Sequence, residues 1–92
     1  MPRSPTPQLA LGRAISLRRL QLNLTQEALA DAADLTDRRL REIEAGSANP
    51  TWHAADCIAR ALGWSIADLA RRAAELETED RRPTNRPLKP GG

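Results

Sequence analysis

The stretch that decides the fold runs from Leu24 to Gly46 and reads LTQEALADAADLTDRRLREIEAG. Two segments in it carry apolar residues at helical spacing, and a threonine precedes each of them, Thr25 and Thr36. A threonine hydroxyl in that position can accept a hydrogen bond from the free amides of a first helical turn, so each threonine marks a helix start. The stretch therefore predicts two short helices separated by a tight turn.

The second of these helices, predicted over residues 37–44, has one apolar side formed by Leu40 and Ile43. Successive residues of a helix are turned by about 100°, which places a different set of residues on the side facing away from the core. That set is Arg38, Arg41, Glu42 and Ala45. These groups are able to contact base edges or phosphates.

The same stretch resembles the helix-turn-helix of the phage-repressor/Cro (XRE-like) family of transcriptional regulators. Upstream, Leu11–Ile15 and Arg19–Leu24 are similar to the family's first helix. Downstream, Ile43–Thr51 and Ile58–Leu69 are similar to its "IE.G…NP" and "IA.ALG.S..DL" segments. The resemblance covers about residues 8–77, and because several spaced motifs agree it is much more specific than Leu-Thr-Gln-Glu alone.

Length and composition bound the architecture. Ninety-two residues allow one domain, and they contain no alternating pattern long enough for a strand. Proline-rich and charged termini favour disorder. We expect an all-α, compact five-helix repressor-type domain over residues 8–77, with a disordered arm over 1–7 and a disordered tail over 78–92.

Individual helices follow from the spacing of apolar residues. The first is predicted over about residues 8–21, with Leu11, Ile15 and Leu22 turned inward. The fourth begins after Thr51 and runs to about residue 62, with Trp52 in the core. The fifth is predicted over about residues 65–77. Asn23 and Asp34, which stand where the family often has glycine, are expected in left-handed conformation, and Gly46 and Gly63 end helices.

The charge is unevenly distributed. The chain carries a net +2, but residues 1–7 contribute +1 and residues 78–92 contribute +2, which leaves about −1 on residues 8–77. Binding to nucleic acid depends on neutralising phosphates, so we expect a monomer to bind DNA weakly and with strong salt dependence.

Several function classes are disfavoured. No apolar run approaches the ~20 residues of a membrane span and no signal core is present, so we expect a cytoplasmic protein and no membrane contact. The resemblance to DNA-binding regulators adds the expectation that it is nucleoid-associated. One cysteine, Cys57, and one histidine, His53, cannot build a four-ligand zinc site, so no metal or other cofactor is indicated. No catalytic constellation arises, and the chain is not expected to be an enzyme.

The resemblance implies roles for particular residues. It places the third helix in the major groove, with Arg38 as the candidate reader of guanine, and Gln26 against the DNA backbone. Asp37 and Glu42 bring negative charge towards DNA, and they either accept from a cytosine amino group or orient a neighbouring arginine. The loop Ser47–Pro50 either holds phosphate or only connects helices. The candidate DNA-binding residues are Gln26, Thr36, Asp37, Arg38, Arg39, Arg41, Glu42, Ser47 and Asn49.

Two structural expectations also come from the resemblance. Arg19 and Glu44 match the positions of a charge pair that links the first helix to the end of the third. The fifth helix often makes the two-fold contact in related repressors, and the corresponding dimer candidates are Trp64, Ile66, Leu69, Ala73 and Leu76.

The sequence thus favours a DNA-binding transcriptional regulator, a repressor in the usual case, that acts as a homodimer on a two-fold symmetric operator of double-stranded DNA. An alternative is a protein-interaction module of the same fold, such as an antitoxin with a toxin partner, that binds DNA weakly or not at all. The nearly neutral domain motivates the alternative.

Overall fold

The computed structural model describes residues 6–81, which form five α-helices and no strand. The all-α prediction is confirmed for this part of the chain. The helices are α1 (Pro7–Gln21), α2 (Gln26–Ala32), α3 (Asp37–Glu44), α4 (Trp52–Ala61) and α5 (Ile66–Arg81). The arm predicted over residues 1–7 and the tail over 78–92 lie mostly outside the described residues.

A threonine caps each of the first four helices. The hydroxyls of Thr6, Thr25, Thr36 and Thr51 accept from the amide three residues further on, at 3.0–3.1 Å. Each bond satisfies one of the free amides of a first helical turn, a contribution of about 1 kcal/mol. The predicted starts at Thr25, Thr36 and Thr51 are confirmed, and Thr6 places the start of α1 one residue earlier than expected.

The turns between helices need left-handed backbone at defined positions. Asn23 and Asp34 have φ values of +58° and +61°, and both were expected in this conformation. Gly46 also has a positive φ, and a Cβ there would lie 2.9 Å from the Cα of Leu9. Only glycine therefore fits where α3 ends against α1.

The core draws on all five helices. Its largest fully buried side chains are Ile15, Leu29, Leu40, Ile43, Ile58, Leu62 and Leu69. α1 packs against both α5 and α3. The crossing of α1 and α3 is close because Gly12 has no side chain: a Cβ there would overlap the carbonyl oxygens of Ile43 and Glu44. This crossing fixes the end of α3 relative to α1.

The structure corrects two predictions about buried residues. Leu22 was expected to face inward, but α1 ends at Gln21 and Leu22 is 39% exposed in the turn that follows. Trp52 was expected in the core, but it is 76% exposed. It stands at the first residue of α4, beside a groove open to solvent that Pro7, Pro50 and Ile66 help to line. Helical periodicity assigns residues to one side of a helix, but it does not show where the helix ends or which of its residues the neighbouring helices cover.

The last helix is longer than predicted. α5 continues to Arg81 rather than ending near residue 77. Glu79, which was assigned to the tail, instead extends a row of charges along the helix: Arg72 Nη1 lies 3.3 Å from Glu75 Oε1 and 3.8 Å from Glu79 Oε2. The hydroxyl of Thr78 donates to the carbonyl oxygen of Ala74.

Candidate nucleic-acid interface

The turn between α2 and α3 holds the two helices at a fixed angle. The amide of Leu35 donates to the carbonyl of Ala30 at 2.8 Å, and the amide of Asp34 donates to that of Asp31. Left-handed Asp34 then directs the chain to Thr36, the cap of α3. These bonds satisfy backbone groups at the end of α2, where the chain turns into α3.

α3 exposes the side that the sequence predicted. Leu40 and Ile43 are at most 1% exposed and anchor the helix in the core. On the opposite side, the side chain of Arg38 is 83% exposed and that of Glu42 is 38% exposed. Arg41 and Ala45 are also exposed. The helix therefore presents polar and charged groups to a partner along one side.

The three arginines of α3 have different surroundings. Arg38 Nε lies 3.2 Å from Glu42 Oε2, one helical turn away. Arg39 Nη2 donates to the carbonyl oxygen of Asn49 at 3.0 Å, which ties α3 to the following loop. Arg41 is exposed and pairs with no carboxylate among residues 6–81. Internal carboxylates thus leave the arginine charge of this helix largely available.

A buried polar network lies at the end of α3, on the side away from solvent. Glu44 is 9% exposed, and its Oε2 lies 2.8 Å from Arg19 Nε. Its Oε1 accepts from Arg19 Nη2 at 3.1 Å, from Gln26 Nε2 at 2.9 Å and from Ser16 Oγ at 3.2 Å. Arg19 Nη1 also donates to the carbonyl of Leu24. The expected pair of Arg19 and Glu44 is thus present, and it joins α1 and α3 to the start of α2.

Sequence reasoning missed the parts played by Ser16 and Gln26 in this network. Gln26 was expected to place its amide against the DNA backbone, whereas here one proton of Nε2 is donated to Glu44. A carboxylate only accepts, so the amide nitrogen faces Glu44, and its second proton and the Oε1 oxygen are left for other partners. No single-sequence signal connects residues 16, 26 and 44, because the network depends on tertiary packing.

The remaining candidate residues surround α3. Thr36 Oγ1 accepts from the amide of Arg39, and Ser47 Oγ donates to the carbonyl of Glu42. Asn49 is exposed in the loop after α3. Asp37, half-buried, lines a shallow groove between α2 and α3 that also contains Glu27 and Asp31. The nine candidates therefore lie in or beside the helix-turn-helix, and Gln26 is partly turned inward.

The helix-turn-helix itself is acidic. Residues 25–46 contain six carboxylates and three arginines, a net of −3. Glu44 is neutralised by Arg19, but Glu27, Asp31 and Asp34 are exposed. Phosphates are repelled by these groups, so much of the attraction to a duplex must come from the arginines of α3 and from charges elsewhere in the chain.

The dimer candidates fall into two groups. Leu69 is 1% exposed and belongs to the core, so it offers no surface to a second chain. Trp64 is half-buried, with the guanidinium of Arg18 4.9 Å from its ring centroid. Ile66, Ala73 and Leu76 are half-buried along α5.

Residues 6–81 contain neither a metal-binding cluster nor a membrane-spanning helix. No three histidine, cysteine or acidic side chains come together as a metal site there. His53 Nε2 lies 3.6 Å from Cys57 Sγ on α4, but no third such group joins them. None of the helices in this range combines the length and the apolar character of a membrane span.

The fold matches solved structures of transcription regulators. The clp gene regulator ClgR from Corynebacterium glutamicum superimposes with a TM-score of 0.81 at 28% identity, over 86% of this chain and 84% of that one. A second structure of that regulator gives a TM-score of 0.78 at 28% identity, over 84% and 99% of the two chains. The apo competence regulator ComR from Streptococcus vestibularis gives 0.67 at 34% identity, over 72% of this chain but only 22% of ComR.

Comparison of the sequence with known proteins gives two results. No curated protein sequence is significantly similar to the chain. The helix-turn-helix family profile matches residues 15–69, more than half of the chain, and this range includes the α2–turn–α3 unit. Three observations point to the same family: the exposed polar side of α3, the buried network around Glu44 and these similarities. The chain belongs to the XRE-type helix-turn-helix family and is a DNA-binding transcriptional regulator.

Proposed function

We propose that this regulator represses transcription by binding a two-fold symmetric operator as a homodimer, with α3 of each copy in the major groove. The observation that carries the proposal is the orientation of α3: its apolar side is buried, and Arg38 and Arg41 project from the other side. A recognition helix reads base edges with side chains in this position. Action on an operator would place the protein at the nucleoid in the cytoplasm.

Contacts to the DNA are assigned by chemistry. Arg38 is the proposed base reader, because a guanidinium matches the O6 and N7 acceptors of guanine. Arg41 and Arg39, with Ser47 and Asn49, are proposed to contact phosphates, and the hydroxyl of Thr36 and the second amide proton of Gln26 can do the same at the starts of α3 and α2. Asp37 lies in the first turn of α3 and is proposed to accept from a cytosine amino group.

The dimer is proposed to form through α5. Ala67, Ala70 and Ala74 are exposed on this helix, and small residues allow a second helix to approach closely. Exposed Arg71 precedes exposed Glu75 and Glu79, so an antiparallel second copy would bring opposite charges together. Ile66, Ala73 and Leu76 border this surface. Two recognition helices would then contact half-sites about 34 Å apart.

Selection of bound duplexes from random DNA tests the function. We expect a palindromic consensus with half-sites about one helical turn apart. Enrichment of one unpaired half-site, or no enrichment, would contradict the proposed operator.

In sedimentation experiments Ala74→Glu should shift the protein towards monomer, whereas Arg60→Glu on α4 should leave its mass unchanged. Equal masses for both variants would argue against the α5 interface.

A second candidate is an interaction module, such as an antitoxin bound to a toxin. The net −3 on residues 25–46 favours it, because this surface suits a basic protein partner better than a phosphate backbone. Copurification of a stoichiometric partner together with absence of DNA selection would support this alternative. We propose no catalytic role, because regulators of this family are generally not enzymes.

A further inference from the structure

We infer that Glu42 is a positioning residue for Arg38: it holds the guanidinium for guanine and at the same time weakens binding to DNA of any other sequence. The inference rests on the proposed function of α3 and adds to it how the base preference arises. It gives a role to a carboxylate that would otherwise only oppose DNA binding.

The geometry supports this role. Glu42 Oε2 engages Arg38 Nε at 3.2 Å, across one turn of α3. The two terminal nitrogens of Arg38 have no hydrogen-bond partner among residues 6–81, and the side chain is 83% exposed. A guanidinium held at Nε keeps its Nη1 and Nη2 donors as an outward pair, and such a pair can bond to O6 and N7 of one guanine.

The effect on specificity has a physical basis. A free arginine side chain samples many rotamers and can reach either a base or a phosphate, and ordering it opposes binding. The bond to Glu42 restricts those rotamers before DNA arrives. The carboxylate also repels a phosphate that the arginine would otherwise approach, so the pair disfavours the sequence-independent contact.

The backbone keeps Glu42 in place. Its carbonyl oxygen accepts from the amide of Ser47 at 3.0 Å and from the Ser47 hydroxyl at 3.2 Å, at the point where α3 ends. The adjacent Ile43 is buried in the core. Glu42 therefore stands on a fixed part of the helix, and only its own side chain has to be ordered.

The experiment compares four proteins and one control variant on a selected operator, on the same operator with one guanine replaced, and on unrelated duplex DNA. The proteins are the wild type, Arg38→Ala, Glu42→Gln and the double variant. Glu27→Gln is the matched control, because Glu27 is exposed on α2 and pairs with no arginine in the described part of the chain. Circular dichroism verifies that each variant is folded.

We expect the wild type to prefer guanine by roughly 5- to 150-fold, the range of a good bidentate contact, and Arg38→Ala to lose that preference at one position. Glu42→Gln should lower the preference about two- to fivefold and raise affinity for unrelated DNA about twofold. In the Arg38→Ala background Glu42→Gln should leave base preference unchanged. Glu27→Gln should change affinity for all duplexes alike.

Three results would overturn the inference. If Glu42→Gln raises affinity for operator and unrelated DNA equally, as Glu27→Gln is expected to do, Glu42 acts only as a negative charge. If Arg38→Ala keeps the guanine preference, Arg38 is not the reader that Glu42 serves. If the wild type selects no sequence at all, the proposed function fails as well, and this outcome is distinct from the first two.

Discussion

Arg19 and Glu44, 25 positions apart in the chain, form an ion pair of 2.8 Å in which both side chains are almost completely buried. Among residues 6–81, the remaining hydrogen bonds of the Glu44 carboxylate come from α1 and from the first residue of α2. These bonds fix the end of α3, α1 and the start of α2 in one arrangement.

Removing one partner of this pair should be costly. Arg19→Ala leaves the Glu44 carboxylate desolvated without its cation, and we expect a loss of about 3 to 5 kcal/mol in the free energy of unfolding. Urea unfolding monitored by circular dichroism measures it. Arg60→Ala, which removes an exposed pair with Asp56 on α4, should cost less than about 0.5 kcal/mol. Similar losses for the two variants would contradict a structural role for the buried pair.

This pair also illustrates how much the sequence could predict. Arg19 and Glu44 were predicted as partners from the resemblance, and the threonine caps and left-handed Asn23 and Asp34 followed from local chemistry. The caps and the two left-handed residues depend on residue type and on neighbours in the chain, so local rules are sufficient for them. The pair of Arg19 and Glu44 joins distant positions, and only the resemblance predicted it.

Other features depend on contacts between distant residues. Trp52 follows the helical stripe of α4 yet is exposed, because it stands at the first residue of that helix, beside a groove open to solvent. Gln26 and Ser16 donate to Glu44 only because three helices meet there. The bond of Arg39 to Asn49 likewise depends on the path of the loop. Periodicity in one sequence contains none of this information.

The turn between α2 and α3 offers a stabilising substitution. Asp34 has a φ of +61°, a conformation that costs most L-residues about 1–2 kcal/mol and aspartate somewhat less. Asp34→Gly should therefore raise the free energy of unfolding, by up to about 1 kcal/mol. The same change at Asp31, inside α2, should lower it by a few tenths of a kcal/mol. Thermal melts of both variants show whether each change in stability has the expected sign. If Asp34→Gly destabilises the protein, the turn is not strained.

The start of α5 should respond to acid. The amide of Ser65 donates to Asp68 Oδ2 at 2.9 Å, and this hydrogen bond, with help from the Ser65 hydroxyl and Arg71, lowers the pKa of Asp68. A lowered pKa in the folded state means that the contribution to stability is present above the unfolded value of about 3.9 and is lost as pH falls through the folded value. Asp68→Asn should thus lower the melting temperature at about pH 7, and the difference from wild type should shrink towards about pH 2.

The wild type and Asp68→Asn can be compared with Asp56→Asn, which removes a carboxylate from α4 whose side-chain partner among residues 6–81 is Arg60. We expect the pH-dependent difference to be larger at Asp68, because Asn offers the Ser65 amide a neutral acceptor in place of a charged one. A difference for Asp68→Asn that stays constant across the acid range would show that the carboxylate charge does not act through the Ser65 amide.

The central claim is that the outward side of α3 reads DNA sequence, and fluorescence anisotropy tests it most directly. A labelled operator and a scrambled duplex are titrated with the wild type, Arg38→Ala and Arg60→Ala, the last being an exposed arginine in a similar pair on α4. We predict that Arg38→Ala weakens operator binding by about 1 to 3 kcal/mol and scrambled binding much less, while Arg60→Ala leaves the ratio of the two affinities unchanged. An unchanged ratio for Arg38→Ala would contradict the claim.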